Sequence, residues 1–449
     1  MNAFAVVILA AGQGSRMRSD LHKVLHPLAG RPLLEHLLAT VDQLGAARRV
    51  VVVGKGREQL EAALCGHDLV LAVQEEQKGT GHAVAQAGPA LAGFEGGVLI
   101  LYGDTPCIDA STLEAMRIRL EAADRPGVVV LASEPDDPAA YGRVILGDGD
   151  RIEKMVEFKD ATSAERAVRL CNSGMMAVHS SDLFRWLGEV GNDNAAGEYY
   201  LPDIVMVAAA HGRHCVAVQC EAWQTAGINS RAELAAVERE WQHRRRARAL
   251  AEGATLLDPE TTWFAHDTAI GRDVLVEPNV FFGPGVSIAD GATIRAFSHL
   301  EGCTIGPRAE VGPFARLRPG AVLAEKSKVG NFVEMKQATL GPGAKVNHLS
   351  YVGDAEVGAG ANIGAGTITC NYDGFFKYRT VIGAGAFIGS NSALVAPVTI
   401  GAGAIVGAGS VVTRDIDSDA LGVTRAEQKM HSGWAARFRA RQSAKKGQQ

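Results

Sequence analysis

The chain has 449 residues, enough for two to four domains, and its 47% hydrophobic and 21% charged content is that of a globular protein. A formal net charge of -5 offers nothing global for nucleic acid, and no apolar stretch reaches the roughly 18–20 residues of a membrane span. Seven cysteines, an odd number with no C-x-x-C pair, argue against a disulfide framework and predict the reduced thiols of a cytoplasmic protein.

Residues 4–9 (F-A-V-V-I-L) form a continuous apolar run, as in a strand buried on both faces. No basic residue precedes the run, so it reads as a strand and not as the core of a signal peptide. It leads into Ala10-Ala11-Gly12-Gln13-Gly14-Ser15-Arg16-Met17, where two glycines let backbone N–H groups approach a phosphate. The spacing is neither G-x-G-x-x-G, since Met17 takes the third glycine's place, nor a Walker A loop. Further strands are predicted at 50–53, 70–73, 98–101 and 128–131, with helices at 33–44, 81–91 and 110–123. This alternation predicts an α/β Rossmann-like sandwich with a largely parallel sheet, whose ligands collect beyond the C-terminal strand ends. Asp104 stands at one such end, in Leu101-Tyr102-Gly103-Asp104, as a turn former, a helix cap or an oxygen ligand for a divalent cation.

Leu9-Ala10-Ala11-Gly12-x-Gly14-x-Arg16-Met17, followed by Lys23, resembles the signature of sugar-1-phosphate nucleotidyltransferases. In that family a sugar phosphate attacks the α-phosphorus of a nucleoside triphosphate and pyrophosphate leaves. His22 stands where the family usually has Pro. The resemblance implies that Arg16 and Lys23 hold phosphate oxygens and that Asp104 holds Mg²⁺, in chemistry that is mostly positioning and charge neutralisation. Gln74 and Gly79-Thr80-Gly81-His82-Ala83 resemble the uracil-reading and nearby segments of the UTP-dependent branch. Ala140-Tyr141-Gly142-Arg143, Val156-Glu157-Phe158-Lys159 and Cys171-Asn172-Ser173-Gly174 resemble segments lining an amino-sugar pocket, with Gly142, Glu157 and Asn172 as contacts. Glu198-Tyr199-Tyr200-Leu201-Pro202-Asp203 resembles E-Y-Y-x-T-D, with Pro202 at the Thr position. Gly227-Ile228-Asn229-Ser230 implies Asn229 as a second metal ligand beside Asp104. Nucleotide and nucleotide-sugar contacts are therefore expected at Leu9, Ala10, Ala11, Gly12, Lys23, Gln74, Gly79, Thr80, Tyr102, Gly103, Asp104, Gly142, Glu157, Asn172 and Asn229.

Residues 230–253 have helical character, opening on a capping-box pattern of Ser230 with Glu233 and closing at Gly253. Leu234, Val237, Trp241 and Leu250 are the expected apolar stripe. The cluster Arg244, Arg245, Arg246 and Arg248 is expected to be a solvated face rather than a contact for nucleic acid or membrane.

Beyond the helix an apolar residue returns every six positions: Ile270, Val276, Phe282, Ile288, Ile294, Leu300. After a five-residue step come Ile305, Val311, Leu317, Leu323, Val329 and Met335; after two more short steps come Leu340, Val346 and Val352, then Val357 and Ile363. Residues 369–380 interrupt the series, which resumes at Ile382, Ile388, Leu394, Ile400, Val406 and Val412. A period of six is neither 3.6 nor 2; it suits a triangular prism of three flat sides per turn, with glycine at the corners. Each buried apolar side chain contributes roughly 1.5–3 kcal/mol. The array resembles the left-handed parallel β-helix of hexapeptide-repeat proteins, and the handedness comes from that resemblance.

The disturbed hexads are the informative ones: Gly330 to Lys336, Val346 to Tyr351, and the inserted loop with Asn371-Tyr372-Asp373-Gly374. They are similar to those of the bacterial bifunctional N-acetylglucosamine-1-phosphate uridyltransferase/glucosamine-1-phosphate acetyltransferase family. Gly312-Pro-Phe-Ala-Arg-Leu-Arg-Pro-Gly320 and Ile363-Gly-Ala-Gly-Thr-Ile-Thr-Cys-Asn-Tyr-Asp-Gly374 carry the match, which spans residues 4–430. The stretch before Gly312 is about one coil shorter than in enterobacterial members. The resemblance implies His348 as general base for the glucosamine amine, a task suited to an imidazole. It implies Arg318, Lys336, Tyr351 and Asn362 for the amino-sugar phosphate. Ala365, Asn371, Tyr372, Ser390, Ala408 and Arg425 are implied for acetyl-CoA. A backbone N–H near Ala365 or Asn371 is expected to stabilise the oxyanion.

The domains expected are a uridylyltransferase over 1–229, a helical linker over 230–252, a left-handed β-helix acetyltransferase over 253–425 and a basic tail over 426–449. The implied enzyme is a cytoplasmic homotrimer that uses acetyl-CoA, UTP and Mg²⁺ to make UDP-N-acetylglucosamine from glucosamine-1-phosphate. The alternative is a monofunctional nucleotidyltransferase whose prism only binds partners or assembles subunits.

Overall fold

The computed structural model describes residues 3–138, 141–194 and 197–447. Two compact units follow one another, Met1–Arg245 and Arg246–Gln449, and the division falls within the helix Arg231–Ala251.

In the first unit the sheet runs in the order Cys215–Cys220, Val128–Ser133, Cys171–His179, Gly97–Tyr102, Phe4–Ala10, Arg48–Val53 and Val70–Val73. Phe4–Ala10 lies inside the sheet, parallel to both neighbours. Its side chains alternate between two cores. Phe4, Val6, Ile8 and Ala10 meet Leu34, Leu37 and Leu38 of the helix Leu33–Asp42, while Ala5, Val7 and Leu9 meet a core with Val84, Leu183 and Trp186. Burial on both faces is why no polar residue interrupts the run.

Cys171–His179 runs against both its neighbours. The sequence gives little sign of this strand, because Asn172, Ser173 and Gly174 suit strands poorly. A register shift between Asn172 and Met176 accommodates them. The helix expected over 81–91 is instead Thr80–Ala85 followed by a tight turn, Pro89–Leu91, since Pro89 has no N–H to continue an α-helix.

In Arg231–Ala251, Leu234, Val237 and Trp241 pack with Met17, Leu28, Leu33 and Ile228. Leu250 departs from the expected stripe and is exposed. Nine residues beyond Trp241, at roughly 100° per residue, it faces the opposite way. The basic cluster is also not uniformly solvated: Arg246 is buried, its Nη2 3.0 Å from Glu260 Oε2.

The second unit is the left-handed parallel β-helix, with three sides of short strands. On the first side Val276, Ile294, Val311, Val329, Val346, Ile363, Ile388 and Val406 are successive register partners. Phe282, Leu300, Leu317, Met335 and Val352 stack on the second. Ile270, Ile288, Ile305, Leu323, Leu340, Val357, Ile382 and Ile400 stack on the third. From Val276 onward these residues are at most 3% exposed, and Ile270 in the first coil is half-buried.

The five-residue steps all fall at the corner between the second and third sides, and so does the insertion. Thr369 is still in the apolar column, in register with Leu394. Its Oγ1 accepts from Gly353 N (2.8 Å) and donates to Gly353 O (3.0 Å). The excursion therefore begins at Asn371, and pairing resumes at Thr380 opposite Ala355.

Glycine does not hold every corner. Phe297, Phe314 and Phe332 turn the corner between the first and second sides with φ of 58°, 55° and 55°. Their rings stack at 5.0 and 5.1 Å. A left-handed L-residue costs about 1–2 kcal/mol, which ring stacking at roughly 0.5–1.5 kcal/mol per pair partly offsets.

Candidate active sites

The C-terminal end of Phe4–Ala10 opens on a cavity of about 320 Å³. Leu9, Ala10, Ala11, Gly12, Lys23, Gln74, Gly79, Thr80, Tyr102 and Asp104 line it, as the resemblance implies. Gly79 sits at φ 107° with the Tyr199 backbone 2.5 Å from where a Cβ would be, so a side chain there is excluded twice. Gly103 is not among the lining residues; its N–H donates to Leu9 O (2.9 Å), which joins the two strand ends that carry Leu9 and Tyr102. Burial, and then the charge of Asp104, push the Tyr102 hydroxyl above the ordinary tyrosine range. Four lining residues lie outside the expected contacts: the apolar Val24 and Ala83, Glu198, and Gln77, whose Nε2 donates to Ala11 O (2.7 Å).

Lys23 donates from Nζ to Asp104 Oδ2 and, over 3.0 Å, to Asn229 Oδ1. Asn229 is fixed by the start of the following helix, because its N–H donates to Glu233 Oε2 (2.6 Å) and Glu233 N donates to Ser230 Oγ (3.3 Å). Two oxygen ligands thus converge on one cation, a donor set that also suits a hard divalent ion. Among the described residues no group of three His, Cys, Asp or Glu is placed to hold a metal. An ion at Asp104 and Asn229 would fill its shell with phosphate oxygens and water. Arg16 stands exposed on the turn Ser15–Met17 and is not among the residues lining the cavity.

Thr80 and Tyr102 also line a second cavity of about 440 Å³, together with Gly142, Glu157, Asn172, Tyr200 and Pro202. A Cβ at Gly142 would lie 3.1 Å from Glu157 Oε1, so a side chain there would press on that carboxylate and shift it by a few tenths of an ångström. Burial first, then Asp203 and Asp160, hold the Glu157 carboxyl above its ordinary range. Asn172 Oδ1 accepts from Gly174 N (2.8 Å) at the irregular start of its strand. Ala140, which opens the Tyr141-Gly142-Arg143 motif, lies outside the described residues.

In the β-helix, His348 is exposed at the end of Lys345–His348. Its Nδ1 donates to Asn331 Oδ1 (2.6 Å), which leaves Nε2 as the basic nitrogen. Asn331 is its register partner one coil earlier. The same column continues through the successive coils: Gly366 N donates to His348 O, Asn391 N to Ala365 O, Gly409 N to Ser390 O, and Arg425 Nη1 to Ala408 O (2.6 Å). Ala365, Ser390, Ala408 and Arg425 therefore form a strip of small side chains leading from His348 to a guanidinium. At ~4.8 Å per coil it is roughly 19 Å long.

On the second side Arg318 and Lys336 gather with Lys377 from the inserted loop. Lys377 first, and then Arg318, hold the Lys336 ammonium below the usual lysine range. Arg318 is paired with Glu334 (2.7 Å). Asn371 donates to Asp354 and to the Tyr351 hydroxyl (3.4 Å), tying the loop's start to the second side. Asn362 lies one coil from Lys345 in register. Tyr372 is exposed, its hydroxyl donating to Gly374 O (2.6 Å). Asn331 and Lys377 were missed as site residues. The signal for Asn331 is its 17-residue spacing from His348, which equals one coil.

The model of the MobA-like NTP transferase domain matches residues 6–173, and that of the bacterial transferase hexapeptide (six repeats) matches residues 379–414. The chain is 64% identical over 437 residues to the bifunctional protein GlmU of Sphingopyxis alaskensis, covering 97% of this chain and 96% of that protein. It is 64% identical over 443 residues to the protein of the same name from Rhizorhabdus wittichii, covering 99% and 98%. To that of Zymomonas mobilis it is 56% identical over 444 residues, covering 98% and 99%.

Proposed function

The chain belongs to the family of bifunctional GlmU proteins, and from that premise we infer that its β-helix transfers acetyl from acetyl-CoA to glucosamine-1-phosphate and that its α/β unit then transfers uridylyl from UTP to the product. It is a bifunctional enzyme that makes UDP-N-acetylglucosamine. The monofunctional alternative is not favoured, since relatives that match over the whole chain are named bifunctional.

The observation that carries the acetyltransferase reading is the column headed by His348. A prism that served only for assembly has no need of a base held by Asn331, a strip of small residues and three neighbouring cations. Arg318, Lys336 and Lys377 bind the sugar phosphate, with Tyr351 and Asn362 beside them. His348 Nε2 takes a proton from the amine as its nitrogen attacks the thioester carbonyl. A backbone N–H near Ala365 or Asn371 receives the oxyanion. The C–S bond then breaks, the imidazolium of His348 returns its proton to the sulfur, and CoA leaves as the thiol along the strip toward Arg425.

In the first unit Gln74, Gly79 and Thr80 hold the base side, and Gly142, Glu157 and Asn172 hold the amino sugar. A phosphate oxygen of N-acetylglucosamine-1-phosphate attacks the α-phosphorus and pyrophosphate departs. Lys23 and Arg16 neutralise the developing charge, Arg16 by swinging in from its exposed turn. Asp104 and Asn229 would hold Mg²⁺, which supplies charge neutralisation on the phosphates.

A homotrimer, with acetyltransferase sites between prisms, is the family's arrangement, and the exposed Phe297–Phe314–Phe332 ladder offers an apolar face for it. Use of UTP and acetyl-CoA supports a cytoplasmic location, and among the described residues no helix is long and apolar enough to cross a membrane. His348→Ala tests the proposal. It should abolish glucosamine-1-phosphate-dependent release of CoA thiol and leave uridylyl transfer near normal; persistent thiol release contradicts the assignment.

A further inference from the structure

Gln74 follows the strand Val70–Val73, is 3% exposed, and lines the nucleotide cavity. Its amide nitrogen has two protein neighbours: Nε2 is 3.1 Å from the Gly79 carbonyl oxygen and 3.1 Å from Nδ1 of His82. A carbonyl oxygen only accepts, so the NH₂ end of the amide must be the end that faces Gly79. The Gly79 carbonyl is itself held in place, because Gly81 N donates to Tyr199 O (2.8 Å) and Tyr199 N to Lys78 O (2.8 Å). One amide hydrogen goes to Gly79 and the second goes to His82, whose Nδ1 carries the lone pair. Two amide nitrogens face this ring, and a neutral imidazole accepts at only one of its nitrogens. Gln74 Nε2 stands 3.1 Å from Nδ1 and Gln86 Nε2 3.3 Å from Nε2, so the nearer contact assigns the lone pair to Nδ1 and the proton to Nε2, and Gln86 is held by its bond to the His82 carbonyl (3.1 Å). Among the described residues Oε1 of Gln74 takes no protein donor. It is the polar atom this side chain has left for a ligand.

We propose that His82, which does not line the cavity, is a positioning residue that makes the site read uracil: by taking the second N–H of Gln74 it leaves only the amide oxygen to face the base. The inference rests on the reading of this unit as a UTP site. Uracil carries a hydrogen on N3 and so meets an acceptor correctly. Cytosine carries a lone pair on N3, which would face the lone pairs of Oε1. A site built to receive a particular donor rejects the analogue that lacks it, because its buried acceptor is then left unpaired. Without His82 the amide keeps one restraint of two. It can then turn its NH₂ into the cavity, where it suits cytosine.

The experiment measures kcat/KM for UTP and for CTP, each with N-acetylglucosamine-1-phosphate, in the full chain and in His82→Leu and His82→Asn. Leu keeps bulk without a lone pair, and Asn offers an oxygen close to where Nδ1 stood. Wild type is expected to prefer UTP. His82→Leu is expected to lower the UTP:CTP ratio about tenfold, the size of one neutral hydrogen bond, and His82→Asn to restore it. A ratio taken on one preparation does not depend on how much of the protein folded, so a purely structural role would lower both rates and leave the ratio alone. An unchanged ratio in His82→Leu, or an equal loss in His82→Asn, overturns the role of His82. A wild type with no preference for UTP overturns the base-reading role of Gln74, and this inference with it.

Discussion

Lys377 reaches the proposed amino-sugar phosphate site from the inserted loop, and its charge is felt by Lys336. A charge-assisted hydrogen bond to phosphate contributes about 1.5–3 kcal/mol. Lys377→Ala should therefore raise KM for glucosamine-1-phosphate roughly 10- to 100-fold, with uridylyl transfer as the internal control. An unchanged KM would remove Lys377 from the site. Glu157 shows the opposite balance. Its carboxyl titrates above the ordinary range because of burial and then Asp203 and Asp160, so the folded chain holds that proton more tightly than the unfolded chain. Stability is then greatest below the unfolded value and falls as pH rises through the raised one. Glu157 is exposed at the pocket, so solvent screens much of this effect. Glu157→Gln should melt only slightly higher than wild type at neutral pH, lose that advantage near about pH 4, and bind UDP-N-acetylglucosamine less tightly. Equal midpoints at both pH values would contradict the account.

Thr369 is the hinge between the regular coils and the inserted loop. Its hydroxyl replaces a methyl in the apolar column and meets both backbone groups of Gly353. Thr369→Val fits the column but strands those groups, at a cost of about 1–3 kcal/mol, and should loosen the loop that carries Asn371 and Lys377. Urea unfolding together with the KM for glucosamine-1-phosphate measures both effects; full stability in the variant would show that the Gly353 bonds contribute nothing. The hexads were legible because each coil repeats the same burial demand, so the six-residue spacing recurs from Val276 to Val412 and is broken only at the corner between the second and third sides. The corner phenylalanines were not, since their left-handed conformation is supported by stacking on the next coil, a contact between residues about 17 apart. Lys377 was hidden for a related reason: the loop's length says that something projects, but not which side chain turns back toward Lys336. In the first unit the glycine-rich loop and the residues around both cavities were legible. The strand Cys171–His179 was not, because its first residues serve the pocket at the expense of strand propensity.

At the scale of the whole molecule, two separate chemistries share one chain. Light scattering on the intact protein should return the mass of three chains; a monomer that retained full acetyl transfer would refute a site completed between prisms. Asp104→Ala should remove uridylyl transfer alone, as His348→Ala should remove acetyl transfer alone. The most direct measurement supplies glucosamine-1-phosphate, acetyl-CoA, UTP and Mg²⁺ and follows UDP-N-acetylglucosamine. Neither variant by itself should form it, and an equal mixture of the two should, because the acetylated intermediate made by Asp104→Ala is the substrate that His348→Ala can still use. Product from either variant alone, or none from the mixture, would contradict the assignment of the two reactions to the two sites.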